Sequence, residues 1–144
     1  RHYIVRTSWV IGDGKNFVRT MASLAQRGIN PTVVADQTGR LTFTTDIAAG
    51  IQHLLDTGAP HGTYNLTGSG EPASWADIAR TVYQLTGHDP ARVTDVTTAE
   101  YFASASAPVA PRPANSTLDL TKIEAAGFAP RDWRFALKSY LSSS

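Results

Sequence analysis

Gly68-Ser69-Gly70-Glu71-Pro72-Ala73 has the G-x-G-x-x-A spacing with which a backbone turn can cradle a dinucleotide's diphosphate. Such a cradle needs bare N–H groups at a helix N-terminus. Here Glu71 places a negative charge at that point, Pro72 removes a donor, and the helical period begins only near Trp75. The segment therefore reads as a loop leading into a capped helix. Gly12-Asp13-Gly14-Lys15 lacks both the earlier glycine and the following Ser or Thr of a P-loop, so it reads as a turn. A tyrosine can pass a proton to a substrate oxygen when a lysine one helical turn later lowers its pKa. The residues four positions after Tyr3, Tyr64, Tyr83, Tyr101 and Tyr140 are Thr7, Gly68, Gly87, Ala105 and Ser144, so no tyrosine has that lysine. No catalytic residue is assigned to this chain. His2, His53, His61 and His88 have no metal-ligand spacing, and no G-x-S-x-G elbow occurs.

The elements that would position any site follow from hydrophobic period. Tyr3-Ile4-Val5, Thr32-Val33-Val34-Ala35 and Thr63-Tyr64-Asn65-Leu66 are short β-branched or aromatic runs and read as strands. Phe17, Met21 and Leu24 form a helical face after a potential N-cap at Asn16 and before Gly28. A second face runs through Ile47, Ile51, Leu54 and Leu55 to Gly58. A third runs through Trp75, Ile78, Val82 and Leu85, from a cap at Ser74 to Gly87. Thr97-Thr98-Ala99-Glu100 has capping-box spacing before Tyr101 and Phe102, with Pro108 as a stop. Residues 107–115 hold three prolines and no period, so they read as a loop. Lys122, Ile123 and Ala126 predict a short turn, and Trp133, Ala136, Leu137, Tyr140 and Leu141 a last amphipathic helix capped by Asp132. Strands alternating with helices predict an α/β fold with parallel pairing, although three strands are few for a sheet covered on both faces.

The 144 residues, 42% hydrophobic and 17% charged, suffice for one globular core, so a single domain spanning 1–144 is expected. Thirteen basic against twelve acidic residues, scattered along the chain, give no nucleic-acid stripe. The absence of cysteine excludes a disulfide scaffold, a thiolate nucleophile and Cys-ligated zinc. No apolar run approaches the roughly 20 residues of a membrane helix, and the composition suits a cytoplasmic protein. The chain begins without Met and directly on a strand, which reads as a segment cut from a longer protein. Such a strand is expected to lack sheet neighbours, to expose an apolar face and to favour a homodimer or aggregation.

Several blocks together resemble the last part of the dTDP-4-dehydrorhamnose reductase family of extended short-chain dehydrogenases/reductases. They begin with Val5-Arg6-Thr7-Ser8-Trp9-Val10-Ile11-Gly12, Asn16-Phe17-Val18, Asp36-Gln37-Thr38-Gly39 and Asp46-Ile47-Ala48. Gly62-Thr63-Tyr64-Asn65-Leu66, Gly68-Ser69-Gly70-Glu71 and Ser74-Trp75 follow. Arg112-Pro113-Ala114-Asn115-Ser116, Leu118-Asp119 and Asp132-Trp133-Arg134 complete the series. They span essentially the whole chain; R-T-S-W and R-P-x-N-S are the specific ones.

The resemblance implies the C-terminal portion of an NAD(P)-binding, Rossmann-like fold, with few strands and several helices. Strands 2–6 and 63–66 would belong to the nucleotide-binding sheet and the rest to a sugar-nucleotide lobe. It implies reduction of the C4 ketone of dTDP-4-dehydro-L-rhamnose with NADPH or NADH. The phosphate loop and Tyr-x-x-x-Lys pair of the family precede R-T-S-W, so this chain alone is expected to be inactive. Partners implied are the dTDP-sugar, an N-terminal cofactor-binding half and a 3,5-epimerase, by fusion or association. Substrate contacts implied are Trp9 (or a core role for its ring), Asn16 (or an N-cap), Phe17, Gln37, Arg112 and Asn115, with Thr7 and Ser8 toward the cofactor. The guanidinium of Arg112, on a proline-flanked loop, suits two phosphate oxygens or else a local carboxylate. Arg40-Leu41 stands where the family often has Ser or Ala and then Pro, which leaves the contacts of the Gln37 loop open. Asp46 matches an acidic position that some members use for Mg2+ at a dimer interface. Two other readings stay open: a non-catalytic sugar-nucleotide-binding module, and a reductase or epimerase for another dTDP-hexose.

Overall fold

The computed structural model describes residues 1–143. In chain order its elements are β1 (Tyr3–Arg6), β2 (Val10–Ile11), α1 (Phe17–Gln26), β3 (Thr32–Val34), β4 (Thr38–Gly39), β5 (Thr42–Phe43) and α2 (Thr44–Asp56). They continue as β6 (Gly62–Asn65), β7 (Ala73–Ser74), α3 (Trp75–Leu85), a 3-10 turn (Pro90–Arg92), β8 (Thr94–Val96), α4 (Thr98–Tyr101), α5 (Thr121–Ala125) and α6 (Trp133–Ser142). The strands form four two-stranded pairs: β1–β6, β2–β5 and β3–β8 are parallel, and β4–β7 is antiparallel. The three expected strands are present. The two- and three-residue strands β2, β4, β5, β7 and β8 carry no period of their own and exist only through their partners.

The chain divides into two compact units, each assembled from separated segments. The first comprises Arg1–Asp13, Arg40–Glu71 and Thr117–Ser144. Its core joins Leu54, Ala59, Tyr64, Leu66, Leu120 and Ile123, with Tyr3, Val5, Ile47, Ala126 and Phe128 packed against them. The register Val5↔Tyr64 puts alternate residues of β1 into this core and turns Ile4 outward, 47% exposed. The strand was expected to lack sheet neighbours, but all four of its residues pair in parallel with β6. Ile51 and Leu55 on α2 also face outward, so only part of that helix's apolar stripe is buried. The Tyr3 and Tyr64 hydroxyls donate to the Ala59 and Pro60 carbonyls, which fixes the turn between α2 and β6.

The second unit comprises Gly14–Gly39 and Pro72–Ser116. Here α3 packs against α1 on one side and β3 on another. It buries Ala76, Ile78, Ala79, Val82 and Tyr83, so of the expected face Ile78 and Val82 are buried, Trp75 is half-buried and Leu85 is exposed. The expected face of α1 is shifted by one residue: Val18, Met21 and Ala25 are buried, while Phe17 and Leu24 are half-buried. Caps follow the sequence expectation. Asn16 accepts from Arg19 N–H at 3.0 Å, Ser74 and Asp77 form a reciprocal capping box, and so do Thr97 and Glu100. Gly87, at φ 81°, ends α3 with bonds from its own N–H to Gln84 O and from His88 N–H to Tyr83 O. The helix of α4 stops at Tyr101, well before Pro108.

Candidate functional site

The glycine loop after β6 is closed by the start of α6. Ser69 N–H donates to Arg131 O at 2.9 Å, Trp133 N–H to Ser69 O at 3.0 Å, and the Trp133 indole N–H to Glu71 O at 2.7 Å. The Ser69 hydroxyl donates to Pro130 O at 2.7 Å. A Cβ at Gly68 would overlap the Leu41 carbonyl oxygen, and one at Gly70 would overlap the Asp132 carboxylate. Gly68 is therefore required by the Leu41 backbone, and Gly70 by its φ of 96°. A carboxylate beside Gly70 and a Ser69 N–H already bonded do not fit a cofactor diphosphate, as the charge of Glu71 suggested.

The residues expected to bind substrate or cofactor fall in both units. In the first, β1 ends in Thr7, exposed, and Ser8 and Trp9, half-buried. Trp9 has φ 50°, the one non-glycine residue at positive φ among those described, and its carbonyl accepts from Thr42 N–H at 3.0 Å. An L-residue held there costs about 1–2 kcal/mol, and such strain concentrates at functional sites. We expect Trp9→Gly to be more stable than Trp9→Ala by about 1 kcal/mol, since both lose the ring and only glycine relieves the strain. Urea unfolding of the two variants checks this, and an alanine variant at least as stable would sink the strain assignment.

Asp46, in the first turn of α2, is largely buried and gives both oxygens to Arg131, at 2.7 Å from Nε and 3.0 Å from Nη2. A carboxylate held bidentately by a guanidinium does not fit a Mg2+ ligand. Among the described residues no group of three or more His, Cys, Asp or Glu could hold a metal. The Mg2+ expectation at Asp46 therefore gives way to an ion pair that fastens the segment before α6 to α2.

In the second unit Asn16 caps α1, and Phe17 packs against Trp75 with the rings tilted by 58° and their centroids 4.7 Å apart. Gln37 is 9% exposed, and its side-chain amide donates to the Thr98 hydroxyl at 3.0 Å. Beside it, Asp36 accepts from Thr98 N–H at 2.9 and 3.1 Å and from the Thr98 hydroxyl at 2.6 Å. These bonds, led by the Thr98 hydroxyl, hold the Asp36 carboxyl below its ordinary pKa; Thr97, chiefly through its backbone N–H, does the same for Glu100. Thr38 pairs on one side with Ser74 and on the other with the Arg112 loop. Its N–H donates to Ala114 O at 2.9 Å and its carbonyl accepts from Ser116 N–H at 2.8 Å, with a bridge to Asn115. Asn115 thus sits at the foot of the loop, and Arg112 is exposed on it.

Sequence reading did not single out Asp36, Thr98 or Arg131 as site-building residues. The capping box at Thr97 was legible, but Asp36 and Thr98 lie 62 positions apart and Asp46 and Arg131 lie 85 apart. No local spacing signals such pairs.

The model of the RmlD substrate binding domain matches residues 1–144. The chain is 40% identical over 137 residues to a probable dTDP-4,6-dihydroxy-2-methyloxan-3-one 4-ketoreductase of Streptomyces antibioticus, covering 94% of this chain and 44% of that protein. It is 40% identical over 149 residues to dTDP-4-dehydrorhamnose reductase of Aggregatibacter actinomycetemcomitans, covering 94% and 48%. The crystal structure of dTDP-4-dehydrorhamnose reductase from Bacillus anthracis in complex with NADP superposes with a TM-score of 0.84 at 31% identity, over 99% of this chain and 48% of that one. The chain spans about half the length of the curated relatives it matches. The α/β architecture of few strands and several helices agrees with these structures. With the family model matched over the full sequence and the fold shared, the chain belongs to the RmlD substrate binding domain family.

Proposed function

We propose that this chain is the sugar-nucleotide-binding part of a dTDP-4-dehydrorhamnose reductase. The whole protein would reduce the C4 ketone of dTDP-4-dehydro-L-rhamnose with NADPH or NADH. The observation that carries the reading is the match of the substrate-binding family model to every residue of the chain. In this reading β1 and β6 join the nucleotide-binding sheet of the parent, which would cover the outward face of Ile4. Trp9 offers the sugar a flat apolar surface with an N–H donor. Arg112 offers its guanidinium fork to the diphosphate from a stiff loop whose foot holds Asn115. Asn16 and Phe17 contribute to substrate binding through the N-terminus of α1. Thr7 and Ser8 extend from β1 toward the cofactor, and proton transfer belongs to a Tyr-x-x-x-Lys pair outside this sequence. The same reading carries a cytoplasmic location, a homodimer and association with the pathway's 3,5-epimerase.

The test is calorimetric titration of the chain with dTDP and dTDP-L-rhamnose, with UDP as control. Arg112→Ala is expected to weaken dTDP binding about ten- to hundredfold, since a charge-assisted bidentate contact contributes roughly 1.5–3 kcal/mol. Equal affinity in the variant would remove Arg112 from the site. Absence of saturable binding by a folded chain would remove the assignment of a preformed lobe. Turnover of the parent protein on alternative dTDP-hexoses distinguishes the rhamnose pathway from its nearest rivals.

A further inference from the structure

Residues 99–113, within the second unit, run between two feet that one three-residue segment, Asp36–Thr38, holds. At the outgoing end, Asp36 and Gln37 hold Thr98; at the returning end, Thr38 holds Ala114 and Ser116. Past α4, residues 102–113 have no regular structure and are almost entirely exposed, with prolines at 108, 111 and 113. An irregular stretch this long is uncommon unless it serves a function. Its tip cannot inherit a position from a packed core, so the anchors must supply one. The Thr98 hydroxyl does so with both of its capacities, donating to Asp36 while accepting from Gln37. Gln37, expected from the sequence to contact nucleotide, has its amide committed to this anchor.

We infer that Asp36, Gln37 and Thr98 are positioning residues that present Arg112 to the nucleotide diphosphate, acting through the loop and not by contact with ligand. The inference rests on the proposed sugar-nucleotide site. Its claim is that Thr98 matters only through Arg112. Removing the hydroxyl leaves the Asp36 carboxylate with the Thr98 N–H alone and the Gln37 amide without its acceptor. The outgoing foot then loosens, and the stretch that ends in Arg112 is tethered only at Thr38.

The experiment is a double-mutant cycle for dTDP binding by the 144-residue chain, using Thr98→Val, Arg112→Ala and the pair, with Thr98→Ser as the conservative control. Thr98→Val is expected to weaken binding by about fivefold to tenfold and Thr98→Ser to restore it. In the Arg112→Ala background Thr98→Val should cause no further loss, because its effect has already been removed. Losses that multiply, or a valine variant that binds like the parent chain, overturn the inference. Chymotryptic cleavage after Tyr101 and Phe102 without ligand reads the anchor independently of the site. The valine variant should be cut about fivefold faster than the parent and the serine variant at the parental rate, since cleavage follows the population of open loop. Equal rates in all three overturn the anchor even if dTDP binds. Failure of the parent chain to bind dTDP overturns the nucleotide site and Arg112's part in it, while the cleavage rates still decide whether Thr98 holds the loop.

Discussion

Alanine at position 68 is expected to lower the thermal midpoint by about 10 °C, corresponding to roughly 3 kcal/mol of lost stability. The added methyl would overlap the Leu41 carbonyl oxygen, a backbone atom that cannot swing aside as a side chain can. Leu41 and Gly68 are both buried, and Gly68 N–H also meets the Thr42 hydroxyl at 3.3 Å, so the two strands' ends cannot separate without disturbing both contacts. A thermal melt of Gly68→Ala beside Gly14→Ala checks this, since a methyl added at Gly14 would meet nothing within 4 Å and faces only the strain of a φ of 82°. Should the Gly68 variant melt with the parent chain, the close approach of Leu41 would not be what selects glycine there.

Trp133→Ala is expected to cost about 3–5 kcal/mol, enough to leave the first unit largely unfolded at 37 °C. The indole is 1% exposed, its N–H donates to Glu71 O, and Arg134 lies over its ring at 4.3 Å. Trp133→Phe separates the two contributions. It keeps most of the apolar area and loses the hydrogen bond, so about 1 kcal/mol should be lost, with Arg134 Nη1 still 3.2 Å from the Glu71 oxygen. Urea unfolding followed by far-ultraviolet circular dichroism measures both variants. Equal losses for alanine and phenylalanine would mean that the N–H, and not the buried ring, holds α6 to the glycine loop.

What could be read from sequence was what is local in the chain. The capping boxes at Ser74 and Thr97, the Asn16 and Asp132 caps and the three strands of clear β-branched or aromatic type all appear in the structure. The glycine loop could be set aside as a phosphate cradle from the charge of Glu71 and the missing donor of Pro72; the structure adds Asp132 against Gly70. The face of α1 came out one residue away: Val18, Met21 and Ala25 are buried where α1 packs against α3, and counting large residues alone favours Phe17 and Leu24. The β4 pairing of Thr38 with both Ser74 and Asn115 was invisible for a different reason. Two residues carry no periodicity, and their partners are 36 and 77 positions away by the numbering of the pairs. Of the candidate site, the family resemblance implied Arg112 and Trp9, while the positive φ at Trp9 and the bonds from Asp36 to Thr98 arise only from tertiary structure.

The first unit is written in three instalments, the last beginning at Thr117. Its interior residues Leu120, Ile123, Trp133 and Leu137 all arrive in that instalment. On a ribosome adding about 5–20 residues per second, β1 and β6 would wait several seconds for Leu120 and Ile123, which pack with them in the core. The segments of the second unit are complete by Ser116 and can close first. During that interval the apolar faces of β1 and α2 have no cover from the α5 segment, which makes the nascent chain a natural client for a holding chaperone.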